Sequence, residues 1–396
     1  MIPDGWERTT IGEHVDVLTG YAFKSSDYSS GPDDIRLLRG DNVAQHRIRW
    51  RDAQKLPQEK AGGLDRFALR LGDFVIALDR TWIPAGVKIA EITEADLPSL
   101  LVQRVARLRS KPSLEQSLMR QFFSGHGFEQ YVKSVQTETA VPHISPNDLR
   151  ELAILLPPLP EQKRIAETLQ TWDRAIETVE ALIANARAQK QALMQQLLPQ
   201  GTTPPKKRLP GFFGEWREER LGSLADISKG EQKGRASLSE EGPVPVINGG
   251  ITPSGYTDHP NTAANTITIS EGGNSCGHVD LINQPFWCGG HCYALKNLKV
   301  DRDYLFAVLK HRQLEIMSLR VGSGLPNIQK KALSQFSIPV PQKTEQVKIG
   351  ELAACADEEI AALEAQLTAL RHEKAALMQQ LLTGKRRVKL PEGEAA

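Results

Sequence analysis

ALMQQLL stands at residues 192–198 and recurs letter for letter at 376–382. Each copy closes a long stretch with helical apolar spacing. The chain aligns with itself without a gap from 142–198 to 326–382, where 22 of 57 positions are identical. Matched pairs include Glu161/Glu345, Gln162/Gln346, Asp173/Asp357 and Lys190/Lys374. Nearer the start, Trp6, Gly12, Asp16 and Gly20 align with Trp216, Gly222, Asp226 and Gly230 at a larger offset. The second copy therefore has a shorter middle. The chain reads as two copies of one unit, each with a variable front and a shared tail.

The tail reads as a long helix. Ile165, Leu169, Trp172, Ile176, Val179, Ile183, Ala186, Lys190, Leu193 and Leu197 alternate spacings of four and three. Ile349, Ala353, Ala356, Ile360, Leu363, Leu367, Leu370, Lys374, Leu377 and Leu381 repeat the pattern. Such a heptad seam predicts a coiled coil. No Gly or Pro interrupts 161–198, and 345–382 holds only Gly350. Each helix would be ~57 Å long at ~1.5 Å per residue. Pro160 and Thr344 suit a helix start. The one polar seam residue, Lys190 and Lys374, either fixes register or snorkels from the helix end. Two such helices in one chain most simply pack antiparallel on each other.

Composition narrows the classes. A chain of 396 residues, 40% hydrophobic, has room for two or three domains with real cores. The start, MIPDGWERTT, lacks a signal-type apolar core, and no run of 18 apolar residues predicts a membrane span. Four cysteines do not make a disulfide framework, which fits a reducing, cytoplasmic setting. The net charge of +1 argues mildly against a strongly basic nucleic-acid binder; any basic face must come from local clustering, or a partner must supply phosphate attraction.

The fronts, or heads, read as mixed α/β. Strands are expected at 35–38, 74–78, 87–92, 101–108, 244–247, 266–269 and 292–295, and helices at 114–123 and 302–320. Turn and polar residues gather in LLRGDNV (37–43), LDRTWIPAG (78–86) and TETAVPHI (137–144). In the second head they gather in VINGGITPSGY (246–256), ISEGGNSCGHV (269–279) and VGSGLPNI (321–328). These loops mix Arg, Asn, Ser, Thr and Gly, types that reach base edges and phosphates but also simply make turns.

Catalytic signals are missing. There is no Gly-x-x-x-x-Gly-Lys-Ser/Thr phosphate loop, no His-Glu-x-x-His, no Gly-x-Ser-x-Gly and no Asp/Asn-Pro-Pro-aromatic methyltransferase loop. Cys276, His278, Cys288, His291 and Cys292 are the best metal candidates, but their spacing matches no compact zinc pair, so no metal is expected. Cys355 reads as helix packing.

The two heads, the two shared helices, and the phrases WERTTIG (6–12), PPLPEQKRIAE (157–167) and ALMQQLLTGKRRV (376–388) resemble the specificity subunits of type I restriction–modification systems. The resemblance spans essentially the whole chain and implies an α+β fold. Two target-recognition domains (1–156 and 212–340) would be joined by long helices at 157–200 and 341–384. A linker (201–211) and a basic, flexible tail (385–396) complete the layout. Each domain would read one half of an asymmetric bipartite target in double-stranded DNA. The helices would set the gap and dock methyltransferase subunits, expected to be two, which bind S-adenosylmethionine and methylate adenine. A separate restriction subunit would cut. The chain itself would hold no cofactor, catalyse nothing and bind DNA weakly alone. The alternatives are the recognition part of a combined restriction–methylation enzyme and a coiled-coil protein adaptor.

Within that frame, residues of suitable chemistry in the loops become candidate DNA contacts. They are Arg39, Asn42, Arg80 and His143 in head one, and Lys229, Asn248, Asn274, Ser275 and Asn327 in head two. Lys24, Lys233 and Arg235 are candidate phosphate contacts. Glu161, Gln162, Glu345 and Gln346 recur in both copies and are expected to face the protein partner.

Overall fold

A computed structural model describes residues 2–84, 86–137, 140–199, 205–322, 324 and 326–390. Residues 201–204 of the expected linker and 391–396 of the expected tail lie outside these. The chain forms two compact units, residues 1–178 with 367–396 and residues 179–366.

Both units are α+β and share one plan. In unit one an antiparallel sheet runs in the order Ile89–Glu91, Phe74–Ala77, Val105–Ser110, Val15–Thr19. Beside it, Ile35–Leu38 pairs in parallel with Ser99–Leu101, and Glu7–Thr10 pairs with Ala153–Leu156. In unit two the matching order is Val279–Ile282, Thr266–Ser270, Cys292–Lys296, Asp226–Lys229. Val244–Ile247 pairs in parallel with Trp287–Cys288, and Arg217–Arg220 pairs with Ser337–Val340.

Local chemistry accounts for these elements. Phe74–Ala77 is apolar throughout and buried throughout, as a central strand covered on both faces must be. Ser145 opens the helix Pro146–Glu151 with a reciprocal capping box to Asp148, and Pro146 fills the first turn, where its missing N–H costs nothing. The expected helix at 302–320 is corrected: it divides into Arg302–His311 and Gln313–Ser318. Arg312 leaves helical geometry at the break, where its guanidinium donates to the Ser337 carbonyl at 2.7 Å and to Glu315. The strand expected at 101–108 also divides, around Arg104 at φ 64°.

The long helices are Leu159–Leu197 and Lys343–Leu382. No seam position of either is exposed, whereas most flanking positions are. Within unit one the beginning of the first helix lies antiparallel to the end of the second; within unit two the roles reverse. This explains the duplicated heptapeptide. Met194, Leu197 and Leu198, at the end of the first helix, are buried in the core of unit two with Leu221, Ile267 and Tyr304. Met378 and Leu381 are buried in the core of unit one with Ile11, Ile76 and Leu118. Each copy's helix end thus seals the other copy's head, every such side chain contributing about 1.5–3 kcal/mol. The compact units consequently cut across the head–helix boundaries expected from the alignment.

The seam lysines pair with aspartates across the helix pair. Lys374 reaches Asp173 in unit one, and Lys190 reaches Asp357 in unit two. Their side chains are only 13% and 21% exposed, so they end on the opposing helix rather than in solvent. The pairs are repeat equivalents of each other.

The expectation that Glu161, Gln162, Glu345 and Gln346 face a partner is also corrected, because all four are buried. Glu161 accepts from Trp6 Nε1 at 2.9 Å and from Arg387 Nη2 at 2.7 Å. Glu345 is held by Arg208 in a two-pronged pair. The Gln162 amide donates to the Ser113 and Pro157 carbonyls and accepts from the Glu115 N–H. Gln346 likewise donates to Pro341 and accepts from the Asp301 N–H. The recurrent Glu-Gln stitches each helix start to its head. Arg387 belongs to the segment expected to be a flexible tail and Arg208 to the expected linker, so each segment contributes a clamp.

Candidate nucleic-acid interface

The three loop clusters of head one converge. The chain leaves Phe74–Ala77 through Leu78, Asp79 and Arg80. Leu78 N–H donates to the Arg104 carbonyl at 2.9 Å, and Ile144 N–H donates to the Leu78 carbonyl at 3.0 Å. Arg80, in the left-handed region at φ 47°, donates its N–H to Pro142 at 2.6 Å. Asp79 and His143 form an antiparallel bridge. Val102 N–H donates to Leu38, which brings the Arg39–Gly40 turn against the same strand ends.

The three clusters of head two make the same bonds. Glu271 N–H donates to the His291 carbonyl at 2.9 Å, Ile328 N–H to the Glu271 carbonyl at 2.8 Å, and Gly273 N–H to Pro326 at 3.1 Å. Gly273 is also left-handed, at φ 78°. Gly272 bridges Asn327, and Gly289 N–H donates to Ile247. These bonds align four positions across the heads: Arg39 with Asn248, Arg80 with Gly273, Arg104 with His291, and His143 with Asn327.

The frame is common, but the chemistry differs. In head one Asp79 accepts from His143 Nδ1 at 2.8 Å and from Arg104 Nη1 at 2.7 Å. Burial works to raise the Asp79 pKa, but these donors outweigh it and hold it below the usual carboxylate value. Lys88 stands half-buried nearby, and burial lowers its pKa against the attraction of Asp41 and Asp79. In head two the acid sits one position earlier, at Glu271, in the place of Leu78. Successive residues of a strand point to opposite faces, so it meets other partners. Lys229 Nζ lies 2.6 Å away, the Tyr293 hydroxyl 3.1 Å and His291 Nδ1 3.6 Å. Burial, helped by the Glu271 charge, pushes Tyr293 up to about 12.

The sequence-derived candidates fall into three groups. Arg39, Arg80, His143, Asn248 and Asn327 come together at equivalent places, and Asn274 and Ser275 follow Gly273 in the same turn. Arg80, Asn274 and Asn327 are exposed. Asn42 is corrected: 8% exposed, it accepts from the Arg39 N–H and donates to the Arg49 carbonyl, so its amide shapes the turn. Lys229 is likewise engaged by Glu271, and Lys233 by Thr257 and the Trp287 ring at 4.1 Å. Lys24 and Arg235 are exposed; Lys24 precedes the short turn Ser25–Asp27, and Arg235 opens the turn Arg235–Ser237. Arg104 and Lys88 belong to the cluster but carried no loop motif to announce them.

The cysteine–histidine group does not converge. Cys276 donates to the Glu271 carbonyl, whereas Cys288 and Cys292 pack with Phe286 and Ala294. The hydrogen bond to Cys288 and burial push the Cys292 thiol up. Among the described residues no three His, Cys, Asp or Glu side chains gather as a metal site, and no helix is long and apolar enough to cross a membrane.

A family model for the type I restriction modification DNA specificity domain matches residues 3–186 and 214–370. The chain is 34% identical over 182 residues to the type I restriction enzyme EcoAI specificity subunit of Escherichia coli, covering 46% of this chain and 30% of that protein. It thus spans less than half the length of that relative. It is 27% identical to the putative MjaX specificity subunit of Methanocaldococcus jannaschii, over 98% of this chain and 95% of that one. The crystal structure of the S subunit from M. genitalium superposes with a TM-score of 0.65 at 19% identity, covering 96% of each chain.

Proposed function

Since this chain belongs to the type I restriction modification DNA specificity family, we propose that it is the specificity subunit of a type I restriction–modification complex. Each head reads one half of a bipartite target in double-stranded DNA. The helix pair sets the spacing of the halves and docks two methyltransferase subunits, which carry S-adenosylmethionine and methylate adenine. A restriction subunit cuts unmodified DNA in the cytoplasm. This chain supplies recognition and no catalysis.

The observation that carries the reading is the shared loop frame with unlike side chains. One backbone scaffold presents Arg39, Arg80, Arg104 and His143 in head one, and Asn248, Gly273, His291 and Asn327 in head two. Arginine pairs with guanine O6 and N7, and asparagine with adenine N6 and N7, each good bidentate pair discriminating by about 1–3 kcal/mol. Unlike side chains on like frames give unlike half-sites, hence an asymmetric target. The partly buried carboxylates hold their neighbours: Asp79 pairs with His143 and Arg104, and Glu271 with Lys229 and His291.

The test is a methylome. The chain is co-expressed with its methyltransferase, and methyladenine is mapped by single-molecule sequencing. A gapped motif with two different halves, lost when this chain is omitted, is expected. A soluble complex that yields no new motif contradicts the proposal.

A further inference from the structure

Head one carries a basic stripe outside the shared frame. Val43–Ala44 and Arg47–Ile48 form a hairpin, and exposure alternates through the RIRWR segment, residues 47–51. Ile48 and Trp50 turn inward onto the core of the head. Trp50 is pinned twice, by its Nε1–H donating to Asp96 at 2.7 Å and by the Arg36 guanidinium 4.5 Å above its ring. Arg47, Arg49 and Arg51, between and beyond these inward residues, are exposed. Among the described residues none of the three side chains has an ion pair or hydrogen bond. Three uncompensated guanidiniums in a row repel one another, an arrangement that calls for an external anion.

The strand itself ends at Ile48 and the chain turns from Arg51, and exposed guanidiniums beside a DNA-reading loop suit a phosphate backbone, to which arginine donates. The stripe also abuts the frame: Arg49 N–H donates to the Asn42 carbonyl at 2.8 Å, and Asn42 Nδ2 returns a bond to the Arg49 carbonyl at 3.0 Å. Asn42, buried in the Arg39 turn, couples the two. In head two the segment after Gly250, ITPSGYTDHPN (251–261), contains no Lys or Arg. We propose that Arg47, Arg49 and Arg51 form a phosphate rail, present in head one only, that grips one DNA backbone beside the half-site. The inference rests on the functional reading above.

The test uses the complex with its methyltransferase. Affinity for the mapped target and for a scrambled duplex is followed from about 50 to 200 mM salt. Wild type is compared with R47Q/R49Q/R51Q and R47K/R49K/R51K. Each lost phosphate contact lowers the log–log salt slope by about 0.9, so the Gln triple should lose about 2.7. Its affinity should fall alike on both duplexes, the methylated motif should not change, and the Lys triple should keep most of the slope. An unchanged slope overturns the rail, as does a loss confined to the mapped target, which would mean base reading. So does a Gln triple that fails to assemble with the methyltransferase, which would make the stripe a protein-docking surface. A wild-type complex with no preference for its mapped motif sinks the functional reading as well, which separates the two failures.

Discussion

Arg208→Ala should destabilise unit two more than Arg387→Ala destabilises unit one. The two arginines occupy equivalent clamps on Glu345 and Glu161, each carboxylate 1% exposed. Glu161 has a third donor, the Trp6 indole at 2.9 Å. Trp216 stands in the equivalent place, but its indole N–H is buried without a partner. Removing Arg387 therefore leaves Glu161 with one bond, and the cost is that of a charge-assisted pair, about 1.5–3 kcal/mol. Removing Arg208 leaves Glu345 buried and unpaired, a situation that costs about 3–5 kcal/mol. The arginines are 24% and 46% exposed, so solvent screening widens the gap in the same direction. Two units need not unfold together, so the measurement is native-state hydrogen exchange at the two helix starts, 343–353 and 159–169. The double variant W6F/R387A should reach the Arg208→Ala cost. Equal protection losses in the two single variants would refute the reasoning, since they would mean that Trp216 takes over or that Trp6 contributes nothing.

Three further outcomes are expected. Inserting one heptad into both long helices lengthens each by ~10.5 Å and should widen the gap in the methylated motif by about three base pairs; an unchanged gap would rule out the spacer role. Asp79 has a lowered folded pKa, so its contribution is present above the ordinary value of 3.8 and vanishes as pH falls through the lower folded value. Asp79→Asn should therefore flatten the acid limb of the stability curve of unit one, and acid limbs that coincide for both proteins would contradict this. Charge reversal at Asp173→Lys should weaken unit one, and adding Lys374→Asp should restore about 1–2 kcal/mol; a double-mutant coupling near zero would show that the seam lysine does not set register.

The repeat, the seam and most strands were legible because each leaves a periodic or self-similar mark. Strands expected at 35–38 and 244–247 are found at those residues. What the alignment hid was partnership. Met194 and Leu197 look like the end of their own copy, yet they complete the other head, since an antiparallel pair exchanges its ends. Glu161 and Gln346 look like surface charge and amide on a helix, yet the Trp6 indole and the Arg387 guanidinium take up Glu161 and backbone groups take up Gln346. In the loops, Arg39, Arg80, His143, Asn248 and Asn327 could be picked by residue type. The gapless alignment already pairs His143 with Asn327, but the equivalence of Arg39 with Asn248 and of Arg80 with Gly273 could not be read, because it is made by backbone bonds between segments of different length. Arg104 was hidden inside an expected strand. The alternation in RIRWR was a signal available from the start.

The bonds that align the two heads run between main-chain donors and acceptors, while the Asn42 and Asn248 amides tie the loops from their side chains. The main-chain part of such a frame is indifferent to what it displays. Even the tightest corner takes Arg80 in one head and Gly273 in the other, at some conformational cost to the arginine. New recognition can therefore arise by single substitutions that leave folding stability nearly unspent. Because each head is sealed by the other copy's ALMQQLL, whole heads can also be traded between sister chains without inventing a new seal. Mutational tolerance lies in the main-chain hydrogen bonds of the loops, and modular exchange in the repeated apolar seal.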